Sequence, residues 1–227
     1  MEKEKIIAWC KLARPPFHIV GVLPFILGTW LAWNISGLFN LPVFFLGCIS
    51  VIFIMMATYF AGEYWDTEEN KIAYRYHTSR FAGGSRVIQE GILDKNIALY
   101  SSIIMLILAG LTGLGLVLYF NVGIWALPMG FIGMIAGFFY STKPIRWVGT
   151  GLGELWIAFC YGWLPVAVGF YLQTQTINPI VHFISFPIAL SIFNVILLNE
   201  YPDYQADKKA GKNNMVVRLG KERATIL

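Results

Sequence analysis

Two segments of the chain carry closely spaced carboxylates, each at the end of an apolar stretch. One begins at Glu63 and reads EYWDTEENK, and the other begins at Glu200 and reads EYPDYQADK. They align as E-Y-x-D-x-x-x-(N/D)-K, an internal repeat. In the second copy Asn199, Asp203 and Asp207 are four residues apart, so a helix would place their oxygens on one face. Mg2+ prefers oxygen ligands and is commonly held by one or two carboxylates plus substrate phosphates. The pattern predicts a site for Mg2+ and a diphosphate, although acids at a helix end can also simply face water.

Basic residues lie near these acids in the sequence. Lys143 and Arg146 belong to the segment YSTKPIR, which follows an apolar stretch. Arg80 and Arg86 flank the glycine-rich segment FAGGS, whose backbone amides are suited to phosphate. We expect such cations to neutralise a diphosphate. The alternative is that they only anchor the chain at a membrane surface.

The elements that must position these residues are membrane helices. The chain is 57% hydrophobic and only 13% charged, too apolar for a soluble domain of 227 residues. A spanning helix needs about 20 apolar residues. Six such stretches are predicted, at 16–34, 41–61, 97–119, 122–140, 152–172 and 179–199. The predicted fold class is an all-α, polytopic transmembrane helix bundle.

The charge distribution predicts how this bundle is oriented. All 17 Lys and Arg residues fall before the first stretch, between the second and third, between the fourth and fifth, or after the sixth. The other connections, near Ser36, Asn121 and Thr174, are uncharged. By the positive-inside rule, the amino terminus and the loops that carry the acids are expected to be cytoplasmic. An integral protein of the cell membrane is predicted, and no aromatic-interleaved basic run suggests a nucleic-acid partner.

Several motifs resemble the UbiA superfamily of membrane-embedded prenyltransferases. The segment 199–207 fits the NxxxDxxxD signature, and 208–220 resembles the run that follows it in that superfamily. Further similarity is carried by Arg14-Pro15, by GGSR at 83–86 with Glu90-Gly91, and by YSTKP at 140–144 with GLGE at 151–154. The tracts WLPVAVG at 163–169 and YLQT at 171–174 look most like the 1,4-dihydroxy-2-naphthoate polyprenyltransferases of menaquinone synthesis.

The resemblance implies Mg2+-dependent transfer of a prenyl group from an allylic prenyl diphosphate to an aromatic, quinone-type acceptor. A prenyl tunnel between the helices is also implied. Archaeal enzymes that prenylate geranylgeranylglyceryl phosphate share the acidic motifs, so that acceptor is the second hypothesis. A cation-coupled transporter is the non-enzyme alternative, but transporters usually bind their substrates near the membrane midplane.

Two departures from the superfamily pattern affect these expectations. Gly62 and Asn70 stand where Asn and Asp are usual, so a neighbouring carboxylate, Glu63, Glu68 or Glu69, is expected to help Asp66. The superfamily has about nine helices and six are visible here. A single transmembrane prenyltransferase domain over residues 1–227, incomplete at its carboxyl end, is therefore expected.

These considerations assign a role to each candidate residue. Tyr64, Tyr140 and Tyr201 are candidates for stabilising an allylic cation, and Glu63 or Glu200 for accepting a proton. The predicted catalytic residues are Asp66, Lys143, Tyr140, Glu200, Asp203 and Asp207. The predicted substrate-binding residues are Tyr64, Arg80, Arg86, Ser141, Arg146, Asn199, Tyr201 and Lys212. The predicted metal ligands are Glu63, Asp66, Glu69, Asn70, Asn199, Asp203 and Asp207.

Overall fold

The computed structural model describes residues 2–76 and 84–226, which form a helical bundle with no strand in those ranges. The first half contains α1 (Glu2–Ala13), a 3-10 turn (Pro15–His18), α2 (Ile19–Ser36), α3 (Leu41–Trp65), α4 (Thr67–Tyr76), α5 (Lys95–Phe120) and α6 (Ala126–Ser141). The second half contains a 3-10 turn (Trp147–Gly149), α7 (Gly153–Ala158), a π-helix (Phe159–Trp163), α8 (Leu164–Thr174), α9 (Pro179–Lys209), α10 (Met215–Leu219) and α11 (Lys221–Ala224). The predicted all-α fold class is confirmed.

Each predicted apolar stretch contains a helix, and the helix in the stretch 122–140 begins at Ala126. In the described part of the chain, five helical spans are long and apolar enough to cross a membrane: Lys3–Ser36, Leu41–Trp65, Lys95–Phe120, Gly153–Thr174 and Pro179–Lys209. The sixth stretch forms α6, which is apolar but has only 16 residues. Large apolar side chains such as Leu111 and Leu118 are exposed on the outside of α5, where a soluble protein would place polar groups. The molecule is therefore an integral membrane protein.

Polar residues define the helix ends at the uncharged connections. The side chain of Asn40 accepts a hydrogen bond from the Val43 backbone amide in the first turn of α3, and that of Asn178 accepts one from the Ile180 amide in the first turn of α9. Gln173 and Gln175 form hydrogen bonds between helices at this end of the bundle. The Asn40 backbone amide donates to Gln173 Oε1 at 2.6 Å, and the Gln175 side chain donates to the Asn121 carbonyl at 2.8 Å. These contacts fix the uncharged end of the bundle and leave the acidic motifs at the opposite end.

Close helix contact holds α2 against α8. A Cβ atom added at Gly28 would overlap the Val166 carbonyl oxygen, so the two backbones touch there. The Thr29 hydroxyl donates to the Gly169 carbonyl at 3.3 Å in the same contact. Small residues allow this approach, as is usual between membrane helices. The pair forms one wall of the bundle interior.

Candidate active site

A cavity of about 250 Å³ opens at the charged end of the bundle and contains residues of both acidic motifs. It lies between α3, α6, the π-helix and α9. Its polar lining comprises Arg14, Thr58, Tyr59, Glu63, Asp66, Asn70, Tyr140, Ser141, Tyr161, Asn199, Asp203 and Lys212. The two copies of the repeat, distant in sequence, thus meet at one site.

Asp66 lies at the point where α3 ends and α4 begins. Its Oδ2 accepts a hydrogen bond from the Ser141 hydroxyl at 2.7 Å, and its Oδ1 lies 3.1 Å from Arg146 Nη2. The same guanidinium nitrogen also donates to Glu69 Oε1. Burial would lower the pKa of Arg146, but the hydrogen bond with Glu69 and the charges of Glu69 and Asp66 outweigh it and raise that pKa. Arg146 therefore links Asp66 and Glu69.

Glu69 is the substitute carboxylate that the geometry brings towards the site. Its side chain is 13% exposed, whereas that of Glu68 is 79% exposed and pairs with Lys71 at 2.8 Å. Burial and the neighbouring charge of Asp66 raise the pKa of Glu69, against the opposing effect of Arg146. The backbone amide of Asn70 donates to the Asp66 carbonyl at 2.8 Å, so the segment after Asp66 is helical and the adjacent side chains of Glu68 and Glu69 point in different directions.

Glu63 is committed to a different contact. It is 3% exposed, its Oε1 lies 3.7 Å from Arg14 Nη2, and the same oxygen accepts the backbone amide of Ser85 at 2.5 Å. In the glycine-rich segment, that amide therefore contacts a carboxylate rather than the open cavity. Arg86 is partly buried and does not line the cavity. Arg80 lies outside the described residues.

The second motif surrounds Lys212. Asn199 and Asp203 line the cavity, and Asp207 lies one turn further along α9 with its Oδ1 3.5 Å from Lys212 Nζ. Burial alone would lower the pKa of Lys212, but Asp207, Asp66, Glu69 and Asp203 raise it. One ammonium group therefore lies within the field of acids from both copies of the repeat.

The predicted site residues that the structure describes and that do not line the cavity are Tyr64, Glu69, Arg86, Lys143, Arg146, Glu200, Tyr201 and Asp207. Tyr64 packs on Trp65 and beneath the ammonium of Lys95, and the Tyr201 hydroxyl donates to the Lys221 carbonyl at 3.1 Å. Successive residues on a helix point about 100° apart, so these tyrosines diverge from their neighbours that face the site. The same divergence turns Glu200 towards α10, where it accepts the Val216 amide at 3.4 Å. Lys143 is exposed and does not line the cavity. Of the three tyrosines proposed to stabilise a cation, only Tyr140 faces the cavity.

Four polar residues of the cavity were not assigned a role from the sequence: Arg14, Thr58, Tyr59 and Tyr161. Tyr59 precedes Glu63 by one helical turn, so the helical period would have identified it. Tyr161 lies in the π-helix and lines the cavity together with Tyr59 and Thr58. No local sequence signal marks a π-helix, which is often found at functional sites.

A second, apolar cavity of about 110 Å³ adjoins the first. Thr58, Ile157 and Tyr161 line both cavities, so they lie at the boundary between them. From there the apolar cavity continues between α2, α3, α5, α6 and α8, past Gly130 and Gly133. A polar compartment thus adjoins an apolar one that extends into the bundle.

The donors present suit a magnesium ion that substrate helps to bind. Within the described ranges, no three His, Cys, Asp or Glu side chains converge closely enough to hold a metal by themselves. Mg2+ commonly relies on one or two carboxylates together with phosphate oxygens and water. Asp66 and Asp203 face the cavity, and Glu63 Oε2 and Glu69 Oε2 are buried without a hydrogen bond from the described part of the chain. These oxygens fit an incomplete magnesium site.

Comparison with known proteins relates this geometry to a family. Residues 21–227 match the UbiA prenyltransferase family. The 1,4-dihydroxy-2-naphthoate octaprenyltransferase of Bacillus subtilis (strain 168) is 29% identical over 225 residues, which cover 97% of this chain and 68% of that protein. The enzyme of the same name from Escherichia coli (strain K12) is 29% identical over 223 residues, covering 96% and 70%.

Solved structures show the same fold. A UbiA homolog from Archaeoglobus fulgidus bound to GPP and Mg2+ superimposes with a TM-score of 0.75 at 21% identity, covering 96% of this chain and 71% of that one. A digeranylgeranylglyceryl phosphate synthase superimposes with a TM-score of 0.70 at 21% identity, covering 98% and 73%. With the match over residues 21–227, these findings show that the chain is a membrane prenyltransferase belonging to the UbiA prenyltransferase family.

Proposed function

We propose that this enzyme transfers a prenyl group from an allylic prenyl diphosphate to an aromatic acceptor of the dihydroxynaphthoate type, with Mg2+ as cofactor. The observation that carries the proposal is the junction of a polar, acid-lined cavity with an apolar one. A prenyl diphosphate has the matching form, since a charged head is joined to a hydrocarbon tail. The relatives named as naphthoate octaprenyltransferases favour this acceptor.

The diphosphate would bind among the cations and carboxylates of the polar cavity. Asp66 and Asp203, with Asn199 as a neutral oxygen ligand, would hold Mg2+. When bound, Mg2+ would supply Lewis-acid stabilisation of the diphosphate as a leaving group. Lys212, which lines the cavity, would contact the outer phosphate oxygens, where its charge stabilises developing negative charge. Arg146 would hold Asp66 and Glu69 in place beside the cavity.

The prenyl tail would occupy the apolar cavity beyond Thr58 and Tyr161. This placement brings the carbon next to the diphosphate to the boundary between the cavities. Tyr161 lies at that boundary, and Tyr140 lines the polar cavity. An aromatic face stabilises a nearby cation by about 0.5 to 2 kcal/mol. These tyrosines would therefore favour an allylic cation that the acceptor captures.

Two other functions are less well supported. Transfer to geranylgeranylglyceryl phosphate has in its favour the fold of a digeranylgeranylglyceryl phosphate synthase, but likeness at 21% identity shows the fold alone. A cation-coupled transporter would need a site near the membrane midplane, whereas the acids here lie at one end of the bundle. The confinement of Lys and Arg to that end favours a cytoplasmic active site.

A product assay tests the proposal. Labelled prenyl diphosphate would be offered with dihydroxynaphthoate, 4-hydroxybenzoate or geranylgeranylglyceryl phosphate in parallel, with Mg2+ or with a chelator. We expect a prenylated naphthoate only when Mg2+ is present, because the acids alone would repel the diphosphate. Product with another acceptor alone would overturn the acceptor assignment, and equal turnover in chelator would overturn the role of Mg2+.

A further inference from the structure

Two buried acids outside the cavity have no role in the reaction proposed above. Glu154, in the first turn of α7, is 1% exposed, and Glu200, on α9, is 8% exposed. Their carboxyl groups lie close enough to interact electrostatically, and neither lines the cavity. Burying a carboxyl group is costly unless it is hydrogen bonded. The partners that they engage therefore indicate what they do.

Those partners are the first amides of α10. Glu154 Oε1 accepts the Met215 amide at 2.6 Å, and Glu200 Oε2 accepts the Val216 amide at 3.4 Å. The next amide, of Val217, donates to Asn214 Oδ1 at 2.9 Å. The first amides of a helix lack intrahelical partners and carry partial positive charge. Side chains from α7, α9 and the residue preceding α10 thus fix the start of this short helix.

The same segment carries Lys212 into the cavity. The Lys212 backbone amide donates to the Asp207 carbonyl at 2.9 Å, and the Asn214 side chain donates to Asp207 Oδ2 at 2.7 Å. Only two residues separate Lys212 from Met215. A shift at the start of α10 would therefore move the ammonium relative to Asp203 and Asp66.

We infer that Glu154 is a positioning residue: by holding the Met215 amide, it fixes the segment that places Lys212 against the diphosphate of the substrate. Glu200 supports the same contact from α9, which is a different role from the proton acceptor that the sequence suggested. The inference rests on the proposed function, because it assumes that a diphosphate binds in the polar cavity.

The hydrogen bond can be removed from either side. Met215→Pro deletes the donating amide at the first position of α10, where proline is well tolerated. Asn214 has φ −66° and ψ 172°, an extended conformation that suits the residue before a proline. Met215→Leu keeps the amide and is the matched control. Glu154→Leu removes the acceptor, and Glu154→Gln retains an acceptor oxygen.

The measurements are the KM of the prenyl diphosphate, the KM of the acceptor, kcat, and direct binding of a labelled geranylgeranyl S-thiolodiphosphate in Mg2+. We expect Met215→Pro and Glu154→Leu to weaken diphosphate binding about tenfold, as when a hydrogen bond to a charged group is lost. The acceptor KM should change little, and Met215→Leu and Glu154→Gln should remain near wild type. Met215→Pro decides the outcome if Glu154→Leu does not fold.

A double-mutant comparison separates positioning from general stabilisation. In a Lys212→Met background, Met215→Pro should weaken binding no further, because its effect passes through the missing ammonium. Additive losses, or unchanged binding in Met215→Pro, would overturn the inference. Failure of the wild-type protein to bind the analogue would instead overturn the proposed function, so the two failures are distinguishable.

Discussion

The pair Glu68 and Glu69 offers a sharp test of the first acidic motif, because adjacent identical side chains have opposite surroundings. Glu69 is largely buried beside Arg146 and Asp66, and Glu68 faces solvent with Lys71. We predict that Glu69→Gln weakens Mg2+-dependent binding of the prenyl diphosphate more than Glu68→Gln does. Both changes preserve size and remove one negative charge, so each variant controls for the other.

The magnitude follows from two opposing effects of neutralising Glu69. Two unit charges about 4 Å apart near a protein surface interact by about 4 kcal/mol, so a lost carboxylate beside the ion matters. Arg146, which now contacts both Glu69 and Asp66, would then pair with Asp66 alone and compete with the ion for it. Desolvation offsets part of the attraction, and a net loss of about 1.4 kcal/mol, or tenfold in apparent Mg2+ affinity, is expected. For Glu68→Gln no measurable change is expected, because an exposed pair contributes little.

Titration of Mg2+ against labelled prenyl diphosphate binding in detergent would measure both affinities, with thermal unfolding as a check on folding. An apparent affinity reduced about tenfold in Glu69→Gln alone would support the site described above. Equal effects of the two changes, or a larger loss in Glu68→Gln, would refute the proposed role of Glu69. Such a result would show that Asn70 holds the ion or that the segment after Asp66 is arranged differently.

Three further predictions concern turnover and stability. Replacing Asp203 or Asp207 by Ala should abolish turnover while the bundle stays folded. If a variant instead unfolds, but the molecules that remain folded are fully active, the replaced acid is structural. Tyr161→Leu should lower kcat by about twofold to thirtyfold through loss of cation–π stabilisation. Tyr161→Phe keeps the ring and should stay near wild type in the same assay. Equal losses of kcat in the two variants would exclude a role for the ring. Gly28→Ala should destabilise the bundle by about 3 kcal/mol, because the new methyl group meets a backbone oxygen. Gly113→Ala is the control and should not destabilise it, because the space around Gly113 is open. A similar unfolding temperature for both variants would contradict the contact between α2 and α8.

Features that depend on local sequence were predictable. Long apolar runs predict spanning helices because backbone polar groups in lipid must be satisfied within the segment, and all six stretches contain a helix. The charge distribution predicted that both acidic motifs lie on one side of the membrane, and Asp66 and Asp203 line one cavity. Asp66 and Glu69 are three residues apart, a spacing that places two side chains on one side of a helix, and both contact Arg146.

Features that depend on which helices pack together were not predictable. Glu200 and Asn199 are adjacent, yet one faces α10 and the other the cavity, because the orientation of α9 decides between them. The π-helix turns Tyr161 to the boundary between the cavities, and the fold of residues 207–217 brings Lys212 back among acids of both motifs. The sequence by itself determined the membrane fold and the chemical types at the site, since apolar length and residue spacing act locally. Only the tertiary structure decided which carboxylates face substrate and which hold the protein together, because a buried charge takes its role from distant partners.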